Sequence, residues 1–414
     1  MTEAPDIAII GAGAAGIAAA RRLAGSGLSC LLLEALPRPG GRAWTCRAAG
    51  MTLDLGCGWL HSAERNPWTR IAEESGFVVD RSPAAWRDQF HDLGFPPAEQ
   101  RAADQALDRW SGRIADDPPA SDRASDALEP GGRWTAYLQA ISGYLSGDEL
   151  ERVSARDYAA YDTAATACNW RLPAGYGTLI AASLPASAAL RLRTPVEAVA
   201  LDGRGVALRT ALGTLQAQAA IVTVSSTVLA GDAIRWPSAL DPWREAASCL
   251  PLGANEKLFL EVVGDGPFEP ETHVLGDPHD PATGSYYIRP FGLPVIECFL
   301  GGAGARAMAD RGSAASFARA VDQIATLFGE SVRRCLRPLL ASDWTGTPSV
   351  GGGYSHALPG HAVARAVLAR PCDDRLFFAG EATHATDFST AHGAYQSGIR
   401  AAEEAIAALE ARGR

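Results

Sequence analysis

The stretch that most constrains the fold runs from Asp6 to Glu34. Ile7 to Ile10 is a short apolar run ending in glycine, the pattern of a strand buried on both faces of a parallel sheet. Ala14 to Ala24 is rich in strong helix formers. Between them Gly11, Gly13 and Gly16 stand in G-x-G-x-x-G order. In such a unit the first glycine permits a tight turn, the second lets a diphosphate approach the backbone, and the third lets the helix close on the strand. Ala14 and Ala15 open the helix, where free N–H groups and the dipole favour an anion. A second apolar strand, Ser29 to Leu33, ends in Glu34, eighteen residues after Gly16, with Ala35 following. An acid at that place accepts ribose hydroxyls. Together these elements predict a dinucleotide site at the end of a parallel sheet.

At 414 residues the chain exceeds one ordinary domain, so two are expected, and 47% hydrophobic residues suffice for a sizeable core. A formal net charge of −10, with no basic run, argues against nucleic acid or an anionic membrane as partner. The eight cysteines are scattered, with neither C-x-x-C nor metal-ligand spacing, and read as free thiols in a reducing, cytoplasmic setting with no metal site. The first apolar stretch follows Glu3 and Asp6 instead of a basic segment, so no signal peptide is expected. No run of eighteen apolar residues offers a membrane span. Oligomeric state is left open, a homodimer being one option. Of the 37 basic residues only Lys257 is a lysine. An ammonium kept against that bias points to a task a guanidinium cannot perform.

After the nucleotide unit come Gly40-Gly41-Arg42 and then Gly56-Cys57-Gly58-Trp59-Leu60-His61. From about 80 to 190, proline pairs punctuate amphipathic helical stretches such as Ala98 to Trp110 and Trp134 to Leu145. Trp170 to Gly177 reads as a turn before a helix. Arg193 to Ile221 alternates as strands with glycine turns, and Ala219 to Ser225 reads as a further buried strand. Strands at Glu256–Val263, Ser285–Arg289 and Val295–Leu300 and a helix around Ser316–Phe328 follow. The chain closes with an apolar strand ending in Gly380-Glu381 and a helix beginning near Thr390.

The glycine unit, Gly40-Gly41-Arg42, the G-x-x-W-x-H loop ending at His61, Trp170-x-x-Pro-x-Gly-Tyr-Gly177 and the Gly380-Glu381 stretch together resemble the flavin-containing amine oxidase family, which includes monoamine and polyamine oxidases. The resemblance covers both ends and the middle, leaving residues 80–165 unmatched. It implies an α/β fold: a Rossmann-like, GR2-type FAD-binding domain with an interleaved α+β substrate-binding domain. The FAD-binding domain is expected over 1–80, 190–238 and 341–414, and the substrate-binding domain over 81–189 and 239–340. Gly41 and Arg42 would approach the diphosphate, Gly58 and Trp59 would run beside the isoalloxazine, and Val196 would offer backbone contacts to the adenine. Glu381 would reach the ribitol and diphosphate region through its backbone or a water. Ala391 and Ala394, in the first turn of the last helix, would aim its positive end at the flavin edge that becomes anionic on reduction.

The resemblance also places the chemistry. Lys257 would hold a water against flavin N5 and assist reoxidation, a task for a compact ammonium. Trp344 would stand beside that lysine, and Tyr354, ten residues on, beside the flavin face, where its ring can hold an amine. Gly353 occupies the position at which monoamine oxidases attach flavin covalently through cysteine, so FAD is expected to be noncovalent. Thr390 replaces the second aromatic of the monoamine oxidase cage, as in histone lysine demethylases. His61 lies where polyamine oxidases contact a substrate nitrogen. Trp59, in a region where related L-amino acid oxidases carry a carboxylate-binding arginine, argues against an amino-acid substrate. The expected reaction oxidises the C–N bond of an amine to an imine, with O2 reduced to H2O2. Two alternatives remain at this point: a desaturase or protoporphyrinogen-type oxidase of the same fold, and a flavin-binding protein without turnover.

Overall fold

The computed structural model describes residues 4–413, so Glu3 and the extreme ends of the two outer segments lie outside it. Its first sheet has five parallel strands in the order Leu376–Phe378, Ala219–Val222, Ile7–Ile10, Cys30–Leu33 and Ala189–Arg191. Ile7–Ile10 and Ala219–Val222 are buried at every position, as continuous apolar runs in the middle of a parallel sheet should be. Pairing begins at Cys30, not Ser29, because the Ser29 N–H and hydroxyl both donate to Asp6. The strand expected to reach Ser225 stops at Val222, and Ser225 instead caps the short helix Ser226–Ala230.

On one face of this sheet the helix Ala14–Leu23 lies against the last helix, Ala391–Ala411. Small residues make that close approach possible: a Cβ at Gly398 would fall 2.2 Å from the Ala15 carbonyl oxygen. Ala19, Ala401, Ala402 and Ala405 continue the seam down to Leu23 and Leu409. Burial of such side chains stabilises by ~0.8 kcal/mol per CH2, so the seam relies on many small contacts.

The second sheet is antiparallel, in the order Thr272–Leu275, Ser285–Ile288, Val295–Gly301, Asn255–Val262 and Leu336–Ala341. Its strand alternation sorts residues onto two faces. Leu258, Leu260, Ile296 and Cys298 pack with Phe317, Ala320 and Ile324 of the helix Ser313–Phe328. The opposite face carries Asn255, Lys257, Phe259, Glu297, Phe299 and Tyr287, all of which face a cavity.

Three helices, Pro97–Asp116, Thr135–Ser146 and Ala155–Ala164, gather around Trp110, Trp134, Tyr137 and Tyr158. The middle one reaches the second sheet where Gly143 meets Gly301, whose Cβ would fall 2.1 Å from the Gly143 oxygen. Residues 169–177 hold more than a turn: Asn169–Arg171 pairs with Trp59–His61 as a short ribbon before the helix Tyr176–Ala182. The first sheet thus draws strands from both ends and the middle of the chain, and the second lies between the last two, a Rossmann-like α/β fold with an interleaved α+β part.

Candidate active site

A cavity of about 1120 Å3 is lined by the first sheet's glycine turn, the second sheet's open face and the helical wall. Every expected site residue except Gly16 lines it. Gly16 lies underneath, where a Cβ would sit 2.1 Å from the Gly11 oxygen, so this glycine serves helix–strand contact.

Gly13 is different. Its backbone is ordinary, φ −77° and ψ −172°, and a Cβ there would meet nothing nearer than 3.8 Å. Neither conformation nor packing asks for glycine, but a ligand against the backbone would. Gly13 is also the N-cap and supplies no side chain, so Ala14 and Ala15 open the helix without a side-chain cap. Gly41, at φ +57°, crosses so closely that its Cβ would stand 3.1 Å from the Gly13 Cα. Two glycine turns therefore form a backbone cradle suited to a diphosphate. Glu34 stands beside it, 6% exposed, accepting from the Ala12 and Leu36 N–H groups. Burial raises its pKa against those hydrogen bonds. Ala35 and Val196 extend the same wall.

Arg42 leaves the cradle with one nitrogen donating to both the Gly353 oxygen (2.7 Å) and Glu381 (2.9 Å). Glu381 also accepts from the Ser355 hydroxyl and the Ser389 N–H. Burial alone would raise this carboxyl; Arg42, Arg365 and these hydrogen bonds outweigh it and hold the pKa below the ordinary value. With its side chain so engaged, Glu381 lines the cavity beside Gly380. Thr390 is spent similarly: it caps the last helix, accepting from Gly393 N–H and donating to the Asp387 oxygen. Ala391 and Ala394 line the cavity from the first turn of that helix.

Lys257 is buried at the junction of the two halves. Its Nζ lies 2.7 Å from Glu297 Oε1 and 3.0 Å from the Asp54 carbonyl oxygen. A Cβ at Gly58 would approach that Nζ to 3.3 Å. Trp344 steadies the same loop by donating from Nε1 to the Leu55 oxygen at 3.1 Å. The Tyr354 hydroxyl donates to the Tyr144 oxygen, tying the tyrosine to the helical wall. His61 Nδ1 donates to Asn169 at 2.7 Å, and burial drives its pKa down to about 4, so the ring is neutral near pH 7. His273, across the cavity, is pushed down to about 4 by burial as well.

Several lining residues carried no sequence signal. Glu297 meets Lys257 through strand pairing, and Asp54 does so from the separate ribbon that pairs Thr45–Ala48 with Met51–Asp54. Arg171 donates to Asp80 and Glu271 and sits 4.9 Å from the Trp59 ring, 5.1 Å from Tyr287 and 4.3 Å from Phe291. It is a cationic pillar for an aromatic wall that Trp86 completes. Asp104, Asp108, Tyr137 and Tyr144 face the cavity from the helices.

The dinucleotide cradle, the acid beside it and the uncapped helix start fit FAD, and Gly353 has no side chain through which a flavin could be attached. Residues 82–406 match the family described as flavin containing amine oxidoreductase, and residues 9–75 match an NAD(P)-binding Rossmann-like domain. Polyamine oxidase 4 of Oryza sativa subsp. japonica is 28% identical over 97% of this chain and 88% of its own length. Pseudooxynicotine dehydrogenase of Pseudomonas sp is 24% identical over 91% of this chain and 81% of its own. Cyclohexylamine oxidase from Brevibacterium oxydans IH-35A shares the fold, with a TM-score of 0.77 at 21% identity, covering 99% of this chain and 100% of that one. Since the family match spans most of the sequence, the chain belongs to the flavin-containing amine oxidoreductases and is an FAD-dependent oxidoreductase acting on CH–NH groups.

Proposed function

We propose that this enzyme oxidises an amine carried on an apolar body, using O2 as electron acceptor and releasing H2O2. The observation that carries the reading is one cavity joining the Gly13–Gly41 cradle to Lys257 and onward to an aromatic chamber. FAD, held by the Gly13–Gly41 cradle and Glu34, would supply the hydride acceptor and the path of the electrons to oxygen, and the imine would hydrolyse in water.

The chain's own residues bind, orient and exclude water. Trp59, Trp86, Tyr287 and Phe299 offer apolar faces to the substrate body. Tyr354, anchored through its hydroxyl, presents ring surface that attracts an amine and keeps water from the reacting carbon. Thr390 contributes no second aromatic, so the cage is one-sided. The neutral rings of His61 and His273 add no positive charge against a cationic amine, and Asp104 and Asp108 favour its approach. The Lys257 ammonium, held by the Asp54 carbonyl and Glu297, would offer its remaining proton as a hydrogen-bond donor where charge develops as oxygen is reduced.

Among the described residues no helix is long and apolar enough to cross a membrane. The eight unpaired thiols support a reducing, cytoplasmic location.

The test is anaerobic mixing of the FAD-loaded protein with primary, secondary and polyamines, followed by air. Bleaching of the flavin by at least one class, then peroxide on aeration, is the expected result. A holoprotein that no amine bleaches would overturn the reading.

A further inference from the structure

Lys257 and Glu297 face the cavity from neighbouring antiparallel strands. Lys257 pairs directly with Phe299, so Glu297, two residues earlier on that strand, is its diagonal neighbour on the same face. The contact is a 2.7 Å charge-assisted hydrogen bond, and both groups are largely shielded, with side-chain exposures of 10% and 21%.

An ammonium has three protons. Here one goes to Glu297 and one to the Asp54 carbonyl, at 2.7 and 3.0 Å. With two directions fixed, tetrahedral geometry fixes the third. Other titratable groups near the ammonium do not duplicate the service of Glu297. Burial pushes the Cys57 thiol up to about 12 and the His61 ring down to about 4, leaving both neutral near pH 7. The Asp54 carboxyl is turned to Thr45, Tyr176 N–H and Gly177 N–H, and burial raises its pKa. Glu297 is the carboxylate in contact.

We infer that Glu297 is a positioning residue for the oxygen half of the cycle: it holds the Lys257 ammonium in place and aims its remaining proton into the cavity. A lone lysine in a chain of arginines gains its advantage only if it is held still. A mobile ammonium sharing its protons with bulk water would offer no fixed donor. The inference rests on the amine oxidase reading for its context, but its test does not require an amine.

Because Lys257 is the only lysine, selective 15N-lysine labelling of the FAD-loaded protein yields a single side-chain ammonium resonance. In the parent this ammonium should be protected from exchange with water. In Glu297→Gln the exchange should accelerate by about tenfold, the weight of one hydrogen bond to a charged group, and Glu297→Asp should restore part of the protection. Flavin reduced by light, without amine, and then mixed with oxygen should reoxidise about tenfold more slowly in Glu297→Gln, again with partial rescue by aspartate. Amine-driven bleaching, where an amine works, should change little. Equal exchange and equal reoxidation in parent and Glu297→Gln would overturn the inference. So would a Glu297→Gln protein that bleaches slowly but reoxidises normally, since the carboxylate would then serve the amine. If no amine bleaches the parent while the light-reduced variants still differ, the proposed function fails and the inference stands.

Discussion

Gly13 and Gly16 separate what the ligand requires from what the fold requires. An alanine at Gly16 would place its Cβ 2.1 Å from the Gly11 oxygen and 3.3 Å from the Ile9 side chain. The helix must move off the strand, and overpacking of that kind costs ~1–3 kcal/mol or more. An alanine at Gly13 meets the Gly41 Cα at 3.8 Å and the Gly40 oxygen at 3.9 Å, both ordinary contacts, with no strain in φ or ψ. Its effect on apoprotein stability should stay within about 1 kcal/mol, since a small entropic gain opposes a slightly poorer cap. The methyl group does, however, occupy the space in which a diphosphate approaches the helix start. Losing one charge-assisted hydrogen bond there costs ~1.5–3 kcal/mol, or roughly 10- to 100-fold in FAD affinity. Urea unfolding of the apoproteins and FAD titration by fluorescence quenching measure the two quantities separately. The expected pattern is a stable Gly13→Ala apoprotein that binds FAD poorly and a Gly16→Ala apoprotein that unfolds early. A Gly13→Ala protein with parental FAD affinity would refute the cradle.

Three further outcomes follow from named contacts. Thr390→Ala removes a side-chain cap from the last helix and should cost ~1 kcal/mol, with Thr390→Ser retaining most of it, as read by urea midpoints. His61 and His273 have folded pKa values near 4, below the unfolded value, so the unfolded chain binds more protons between pH 6.5 and 4. Apoprotein stability should therefore fall as pH drops through that window and flatten below it; a urea midpoint that rises from pH 7 to 5 would contradict the assignment of neutral, buried rings. Tyr354→Phe keeps the ring and should leave amine-driven bleaching nearly unchanged, whereas Tyr354→Ala should weaken amine binding, measured as the amine concentration giving half-maximal bleaching rate.

Local chemistry was legible in the sequence, and pairing was not. The strand, glycine turn and helix at Ile7 to Leu23 are set by neighbours in sequence, so the cradle could be read residue by residue. Lys257 stood out because the chain otherwise uses arginine. Its partner did not, because Glu297 becomes a neighbour only once strands forty residues apart adopt one register. Arg171 looked like part of a turn until Asn169–Arg171 paired with Trp59–His61 and brought it under the aromatic wall. Thr390 shows a different limit. Its place at the start of the last helix was readable, but the two hydrogen bonds that commit its hydroxyl to the helix cap depend on how the Asp387–Thr390 segment folds back.

The most direct test sets the parent beside Lys257→Met, each loaded with FAD, bleached by the best amine without air and then mixed with oxygen. Both should lose their yellow colour at similar rates, and the parent should regain it quickly while the methionine protein lags. Matching recovery in the two proteins would remove the lone ammonium from the oxygen step, and a parent that never bleaches would remove the amine.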